Sequence, residues 1–459
     1  MFEILIVGLG PAGAAAARLL NALGRDVVAV GTEPELPWDP RIILPPAATE
    51  ALRFLGVLQQ VQAIGEEVER VTVRGDGRST ETRAGGTAVS EGAMASCIRA
   101  ELSTEQMVEG RIAGLIVEDG RVCGARLGDG RELRAGLTLC TVGALLPNEA
   151  RPLTAGPVDS ALSALLDVPI ERFGMDQHRL HTTARGWGWA LRLDEAKVQY
   201  TWFCEQDGDA PSAEGTPLFD AMADSHWLRR KVTPCLPDAP TMPGLVPLGR
   251  AAYVLHPMSS LGTAQALDTA RLAAAAANTC FQSDRAESAV LAWLRDQYLD
   301  RAVRAHALTS MAFADAGFVD APYWRKRADS SWTTDAVSTT RRLVAMRAVE
   351  LQQLHREQRF FDTKLRRVRG TESGNELVLR GPMVKERAVV RPPVGLSIPV
   401  EEFPPYAALI DEFDSPATVE QVLARRRARL PPGRNIDEAE KSLARAIGRL
   451  YEDGFLLRA

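Results

Sequence analysis

The sequence predicts an α/β fold: a Rossmann-like nucleotide-binding domain carrying an inserted antiparallel sheet domain, a helical region and a C-terminal winged-helix-like module. Three observations predict it. An apolar run, Phe2 to Val7, enters GLGPAG (Gly8 to Gly13) and then the alanine-rich stretch AAAARLLNALG, which reads as strand, phosphate-binding turn and helix. Runs such as GRIAGLIVEDGRVCGARLGDGRELRAGLTLCTV alternate apolar and polar residues between the turn dipeptides Asp119-Gly120 and Asp129-Gly130, the period of half-buried strands. A second strand, loop and alanine-rich helix follow much later, in GLVPLGRAAYVLHPMSSLGTAQALDTARLAAAAA.

Each element has a local reason. In GLGPAG, Gly8 permits a tight turn, Gly10 lets backbone approach a pyrophosphate, and Gly13 lets helix and strand pack closely; Pro11 and Ala12 open the helix. The acidic residue expected to hold an adenosine ribose is missing, because Val27 to Val30 run into Gly31, with Glu33 as the nearby substitute. ILPPAATEALRFLGVLQQV is a helical segment with a proline entry, and VERVTV a short strand. ARGWGWALRL and KVQYTWFCEQ form a hairpin sheet. The predicted boundaries are 1–165 and 241–285 for the two parts of the nucleotide-binding domain, 166–240 for the sheet, 286–370 for the helical region and 376–459 for the last module. In that module ELVLRG and RAVV read as strands, SPATVEQVL as a helix start with a Ser or Thr cap, and LYEDGFLLR as a helix running into a wing strand.

Composition narrows the function. The chain has 459 residues, 46% hydrophobic and 25% charged, with net charge -5. That range belongs to multidomain globular proteins and lacks the basic excess of a nucleic-acid binder. Neither a leader-like basic start nor an apolar run of the ~20 residues that cross a bilayer is visible, so no membrane association and a cytoplasmic location are expected. The cysteines, Cys97, Cys123, Cys140, Cys204, Cys235 and Cys280, form no CxxC pair, so neither zinc nor a disulfide framework is expected. His178 and His181 have a spacing that suits a metal but no third ligand nearby, and no metal site is expected.

The order of these motifs resembles the flavin monooxygenases of the aromatic hydroxylase type, a family that includes the tryptophan halogenases. GLGPAG stands where that family has its FAD pyrophosphate turn. CIRAEL resembles its R-x-x-L element and implies that Arg99 approaches the cofactor. GRAAYVLHPMSSLGTAQALDTA resembles its second flavin motif and implies that Pro257, Ser260, Leu261, Gly262 and Thr263 lie against the flavin ring. WGWAL resembles the W-x-W element of the halogenases; Trp187 and Trp189 share one strand face and either line a substrate cavity or belong to the core of the sheet. His256, in the flavin loop, is the candidate for aiding proton transfer, or else a hydrogen-bonding residue of the loop.

The departures are as informative as the matches. Gly31, Val142 and Arg250 replace polar residues of the family's cofactor contacts and Tyr253 replaces a histidine, which implies FAD held loosely. No lysine occurs before Lys197, whereas the halogenases carry an early lysine that captures hypohalous acid. The resemblance therefore implies hydroxylation, with reduced flavin and dioxygen giving a C4a-hydroperoxyflavin, rather than halogenation. The segment from about Glu376 resembles the precursor-peptide recognition domains of peptide-modifying enzymes, which take an extended peptide onto a sheet edge. Together the pieces resemble the peptidyl tryptophan hydroxylases of tryptophylquinone biogenesis, whose substrate is a tryptophan of a protein or peptide. A hydroxylase of a free small aromatic, and a degenerate flavoprotein acting as a binding or maturation factor, are the other readings.

Overall fold

The computed structural model describes residues 1–31, 38–68, 71–75, 78–82, 86–168, 178–208, 226–237, 241–316, 318, 320–329, 337–430 and 435–459. Two compact units are present, one of Met1–Ala302 with Thr309–Trp332, the other of Val303–Leu308 with Thr333–Ala459.

The first unit is built on a mixed sheet. Phe2–Val7 pairs in parallel with Val27–Val30 on one side and with Glu132–Cys140 on the other. Leu245–Pro247 adds in parallel to the end of Glu132–Cys140. The antiparallel strands Arg121–Leu127 and Ile112–Glu118 extend the sheet outward, joined through Asp119 and Gly120, both in the left-handed region, as the Asp-Gly turn requires. Ile4, Leu5, Ile6 and Val7 are wholly buried. The helix Pro11–Ala22 lies close to them because its inward residues, Ala14 to Ala17, are small and fully buried. The helices Glu91–Arg99 and Gly262–Gln282 pack beside it.

A second sheet of seven strands runs in the order Leu228–Val232, Asp159–Asp167, Lys197–Glu205, Gly186–Arg192, His178–Thr183, Val71–Gly75, Arg78–Thr82. Every pairing is antiparallel except that of His178–Thr183 with Val71–Gly75. The sheet thus differs from the expected 166–240 segment: it also takes Asp159–Asp167 and two strands from early in the chain. The alternation that marks a strand does not say which strand will supply its partner. Its two faces are separated by the period of two. Trp187, Phe203 and Ala161 face one cluster, and Tyr200, Trp202 and Leu162 the other.

In the second unit the helices Thr339–Arg356, Val419–Arg427 and Ile436–Glu452 close over a core that includes Leu351, Phe360, Phe413, Leu423, Leu450 and Phe455. Thr418 and Gln421 form a capping box at the start of Val419–Arg427, which satisfies two otherwise orphaned backbone donors. A hairpin of Glu372–Arg380 and Met383–Arg391 is extended by Ile398–Pro399. The compact unit begins well before residue 376. Arg425, Arg426 and Arg429 all bear on Glu412, at 3.0, 3.1 and 2.8 Å, which holds its carboxyl below the usual carboxylate range despite partial burial. No helix among the described residues is long and apolar enough to cross a membrane.

Candidate active site

The carboxyl ends of Phe2–Val7, Glu132–Cys140 and Leu245–Pro247 converge, which is where an open α/β sheet receives its ligand. The glycine turn leaves Val7 there. Gly8 has φ +97°, and a Cβ on it would lie 2.0 Å from Thr141 Oγ1; a Cβ on Gly13 would lie 1.8 Å from the Gly8 carbonyl oxygen. Gly10, by contrast, faces open space, with nothing within 4 Å of a Cβ. Helix Pro11–Ala22 has no side-chain cap, so its first N–H groups, those of Ala12 and Gly13, point toward the same opening. A closed cradle with one open face and uncapped donors fits the pyrophosphate of FAD.

Arg99, at the end of Glu91–Arg99, donates from Nη1 to the Leu9 carbonyl at 3.4 Å and from Nη2 to Ser96 Oγ at 3.1 Å, so it stands at the turn. The second motif meets the first directly: a Cβ on Gly249, φ +58°, would lie 3.0 Å from Ala12 Cβ. Two residues hold that turn which sequence reasoning passed over. Gln265 Nε2 donates to the carbonyls of Gly249 and Tyr253, and Thr269 Oγ1 accepts from the Gly249 N–H at 2.9 Å. Both are buried polar side chains on the inner face of an alanine-rich helix. That is the signal by which they could have been found.

Gly31 ends Val27–Val30 with ordinary backbone and nothing within 4 Å of a Cβ, whereas Glu33 lies outside the described residues. A glutamate at position 31 therefore fits without strain. Gly31→Glu is expected to tighten FAD binding by about tenfold, the scale of one hydrogen bond to a charged group, ~1 to 3 kcal/mol. Flavin-fluorescence titration of both proteins measures it; unchanged affinity would show that no ribose lies beside residue 31.

The segment after Tyr253 turns sharply. His256 caps a single 3-10 turn, Pro257–Ser259, and Ser260 takes φ +55°. Ser259 Oγ accepts from the Leu261 N–H at 3.2 Å, and the helix Gly262–Gln282 starts with open space beside Gly262; Thr263 is in its first turn. Met258 packs against the cluster that contains Trp187, Phe203, Phe313, Tyr323 and Trp324, which Trp189 flanks. Both tryptophans therefore lie on the face of the sheet turned to this segment. Trp187 is 4% exposed and stacked on Phe203 with ring centroids 4.5 Å apart. Its Nε1 has no acceptor among the described residues. Trp189 is only half buried.

His256 is 3% exposed, and both its ring nitrogens are engaged. Nδ1 accepts the Met258 N–H at 3.1 Å, and Nε2 is 2.7 Å from Asp159 Oδ2. Asp159, wholly buried on Asp159–Asp167, also accepts from Tyr323 Oη at 3.2 Å, from Arg327 Nε at 3.1 Å and from Arg327 Nη2. Burial pushes the Asp159 carboxyl up, but the hydrogen bonds from His256 and Arg327 outweigh it and hold the group below the carboxylate range. Burial pushes His256 down more than Asp159 pushes it up, so the imidazole is neutral at physiological pH.

No known protein family's sequence profile matches the chain. Its fold matches solved structures of flavin enzymes. A peptidyl tryptophan dihydroxylase, QhpG, essential for tryptophylquinone cofactor biogenesis, matches with TM-score 0.69 and 20% identity over 99% of each chain. CmlS, a flavin-dependent halogenase, matches with TM-score 0.72 and 16% identity over 99% of this chain and 95% of its own. The 2,6-dihydroxypyridine-3-hydroxylase of Arthrobacter nicotinovorans matches with TM-score 0.55 and 16% identity, covering 68% of this chain and 92% of its own.

Proposed function

We propose that the chain is an FAD-dependent monooxygenase that hydroxylates a tryptophan residue of a protein or peptide substrate, in the maturation of a tryptophylquinone cofactor. The observation that carries the reading is the extent of the match. The peptidyl tryptophan dihydroxylase parallels this chain over 99% of both, and the halogenase CmlS over 99% of this chain and 95% of its own, whereas the dihydroxypyridine hydroxylase leaves about a third of this chain, 68% being covered, without a counterpart. The absence of a lysine before Lys197 favours the hydroxylase over the halogenase. The extra part needs a role, and delivery of a large substrate is one. The hairpin strand Glu372–Arg380 pairs only with Met383–Arg391 among the described strands, and a strand hydrogen-bonded on one side is able to take up an extended peptide on the other.

In this reading Gly8 to Gly13 and Arg99 hold the pyrophosphate, and the segment Pro257 to Thr263 borders the ring system. Bound and reduced, FAD supplies the activation of dioxygen. The protein's own residues exclude water and orient the target ring. Trp187, Phe203, Phe313 and Trp324 form a buried aromatic cluster that keeps water from the side of the segment they pack against.

Oxygen uptake by the FAD-loaded protein with a chemical reductant tests the reading. Tryptophan-containing peptides are expected to be oxygenated and free tryptophan not. Oxygenation of the free amino acid alone would favour a small-aromatic hydroxylase, and peroxide release with every substrate a maturation factor without oxygenase activity. A separate expectation concerns halide. With no lysine before Lys197, added chloride leaves the products unchlorinated at any concentration, and a chlorine isotope pattern in their mass spectra would contradict this.

A further inference from the structure

We propose that Asp159 is a positioning residue: by accepting the His256 Nε2 proton it fixes the imidazole tautomer that holds the segment from His256 to Gly262 in shape. What that segment faces is taken from the flavin site proposed above; the geometry of His256 and Asp159 stands without it. A backbone N–H can only donate, so Met258, 3.1 Å from Nδ1, requires that nitrogen to be unprotonated. The single proton of the neutral ring is then on Nε2, aimed at Asp159 Oδ2, 2.7 Å away. The ring is thus a rigid strut between a strand of the second sheet and the 3-10 turn Pro257–Ser259.

Asp159 is itself immobilised. Arg327 grips both its oxygens and Tyr323 donates to Oδ2, while the guanidinium stacks 3.6 Å over the Tyr323 ring. Both partners sit on the helix Pro322–Ala328, whose Trp324 Nε1 donates to the Thr183 carbonyl at 2.7 Å. The conformation of the turn is therefore set by residues on two strands and a helix far from it in sequence. A change of tautomer would place two protons face to face at Met258 and release the cap. Loss of the cap frees Ser260 to leave its left-handed conformation, φ +55°, which is costly for a residue other than glycine.

Four full-length proteins test this: the unaltered chain, Asp159→Asn, His256→Asn and His256→Ala. Long-range proton–nitrogen spectra of the flavin-free protein read the tautomer of His256 directly. FAD affinity, by fluorescence titration, reads the shape of the segment. The unaltered chain is expected to show Nε2–H, and Asp159→Asn a mixture of tautomers with FAD bound about tenfold more weakly. Asparagine at position 256 accepts from the Met258 N–H as a cap does, so His256→Asn is expected to keep FAD affinity within about twofold, whereas His256→Ala loses about tenfold. That pair shows whether residue 256 acts through the Met258 cap, because a merely space-filling role would not be rescued by the shorter asparagine, and the tautomer of the unaltered chain tests Asp159 even if Asp159→Asn fails to fold. An Nδ1–H tautomer in the unaltered chain, or equal affinity in the asparagine and alanine variants, would overturn the proposal and leave the flavin reading standing. Failure of the unaltered chain to bind FAD would overturn the flavin reading alone, since the tautomer is read in the flavin-free protein.

Discussion

Gly13→Val is expected to abolish FAD binding and to lower the stability of the flavin-free protein, whereas Gly10→Ala is expected to weaken FAD binding alone. The contrast follows from what each new side chain meets. A Cβ at Gly13 lies 1.8 Å from the oxygen and 2.9 Å from the carbon of the Gly8 carbonyl, and backbone cannot yield as the tip of a flexible side chain does. The helix must move off the strand, at a cost of about 3 kcal/mol, the upper part of the usual range for overpacking. At Gly10 the backbone is extended, φ -65°, ψ -176°, and a Cβ meets nothing within 4 Å, so alanine folds there unhindered. The space it enters is the space a pyrophosphate would occupy, and FAD affinity should fall at least tenfold, ~1.4 kcal/mol. Thermal melts of both flavin-free variants and fluorescence titration with FAD check it. A Gly10→Ala protein that binds FAD normally would show that no phosphate rests on this turn.

Asp159→Ala carries the other large effect. Removing the carboxylate leaves the Arg327 guanidinium, 3% exposed, charged and buried without a counter-ion, and strands the His256 Nε2 proton. Breaking a buried pair in this way costs about 3 to 5 kcal/mol, so the melting temperature of the first unit, Met1–Ala302 with Thr309–Trp332, should fall by roughly 4 to 7 °C. The same groups predict acid sensitivity. The Asp159 pKa is depressed in the folded chain, so its contribution is present above the unfolded value, about 3.9, and is lost as pH falls through the folded one. The His256 pKa is also depressed; the unfolded ring gains a proton near pH 6.5 that the folded ring refuses, so stability already declines as pH drops below about 6.5. Melts from pH 8 to 4 should show a steeper decline for the unaltered chain than for His256→Asn. Parallel curves would mean that His256 does not titrate differently on unfolding.

The sequence made the local parts of this site legible and left the assembled parts hidden. A strand, a glycine turn and a helix are contiguous, and the steric need for Gly8 and Gly13 acts across five residues, so GLGPAG announces its geometry. Its meeting with Gly249 was foreshadowed by the second motif. The network around Asp159 was not legible, because its partners lie 97 and 168 residues away; a lone acid in the apolar stretch VDSALSALL was the available sign that a buried partner existed. His256 was noticed for its chemistry as an acid or base, but its neighbours occupy both ring nitrogens, and they come from elements that spacing could not bring together. The strand Val71–Gly75 likewise pairs with His178–Thr183 through backbone groups that every residue carries, which leaves no trace in side-chain pattern.

In the proposed reaction the chain moves oxygen from dioxygen to a protein-borne tryptophan. Its most direct test supplies the FAD-loaded protein with a reductant, isotopically heavy dioxygen and a tryptophan-containing precursor peptide, and locates the label by fragmentation mass spectrometry. Heavy oxygen is expected on the tryptophan ring, one or two atoms per peptide, and none when FAD or reductant is left out. Oxygen consumed with the peptide unlabelled, or label drawn from water, would contradict it.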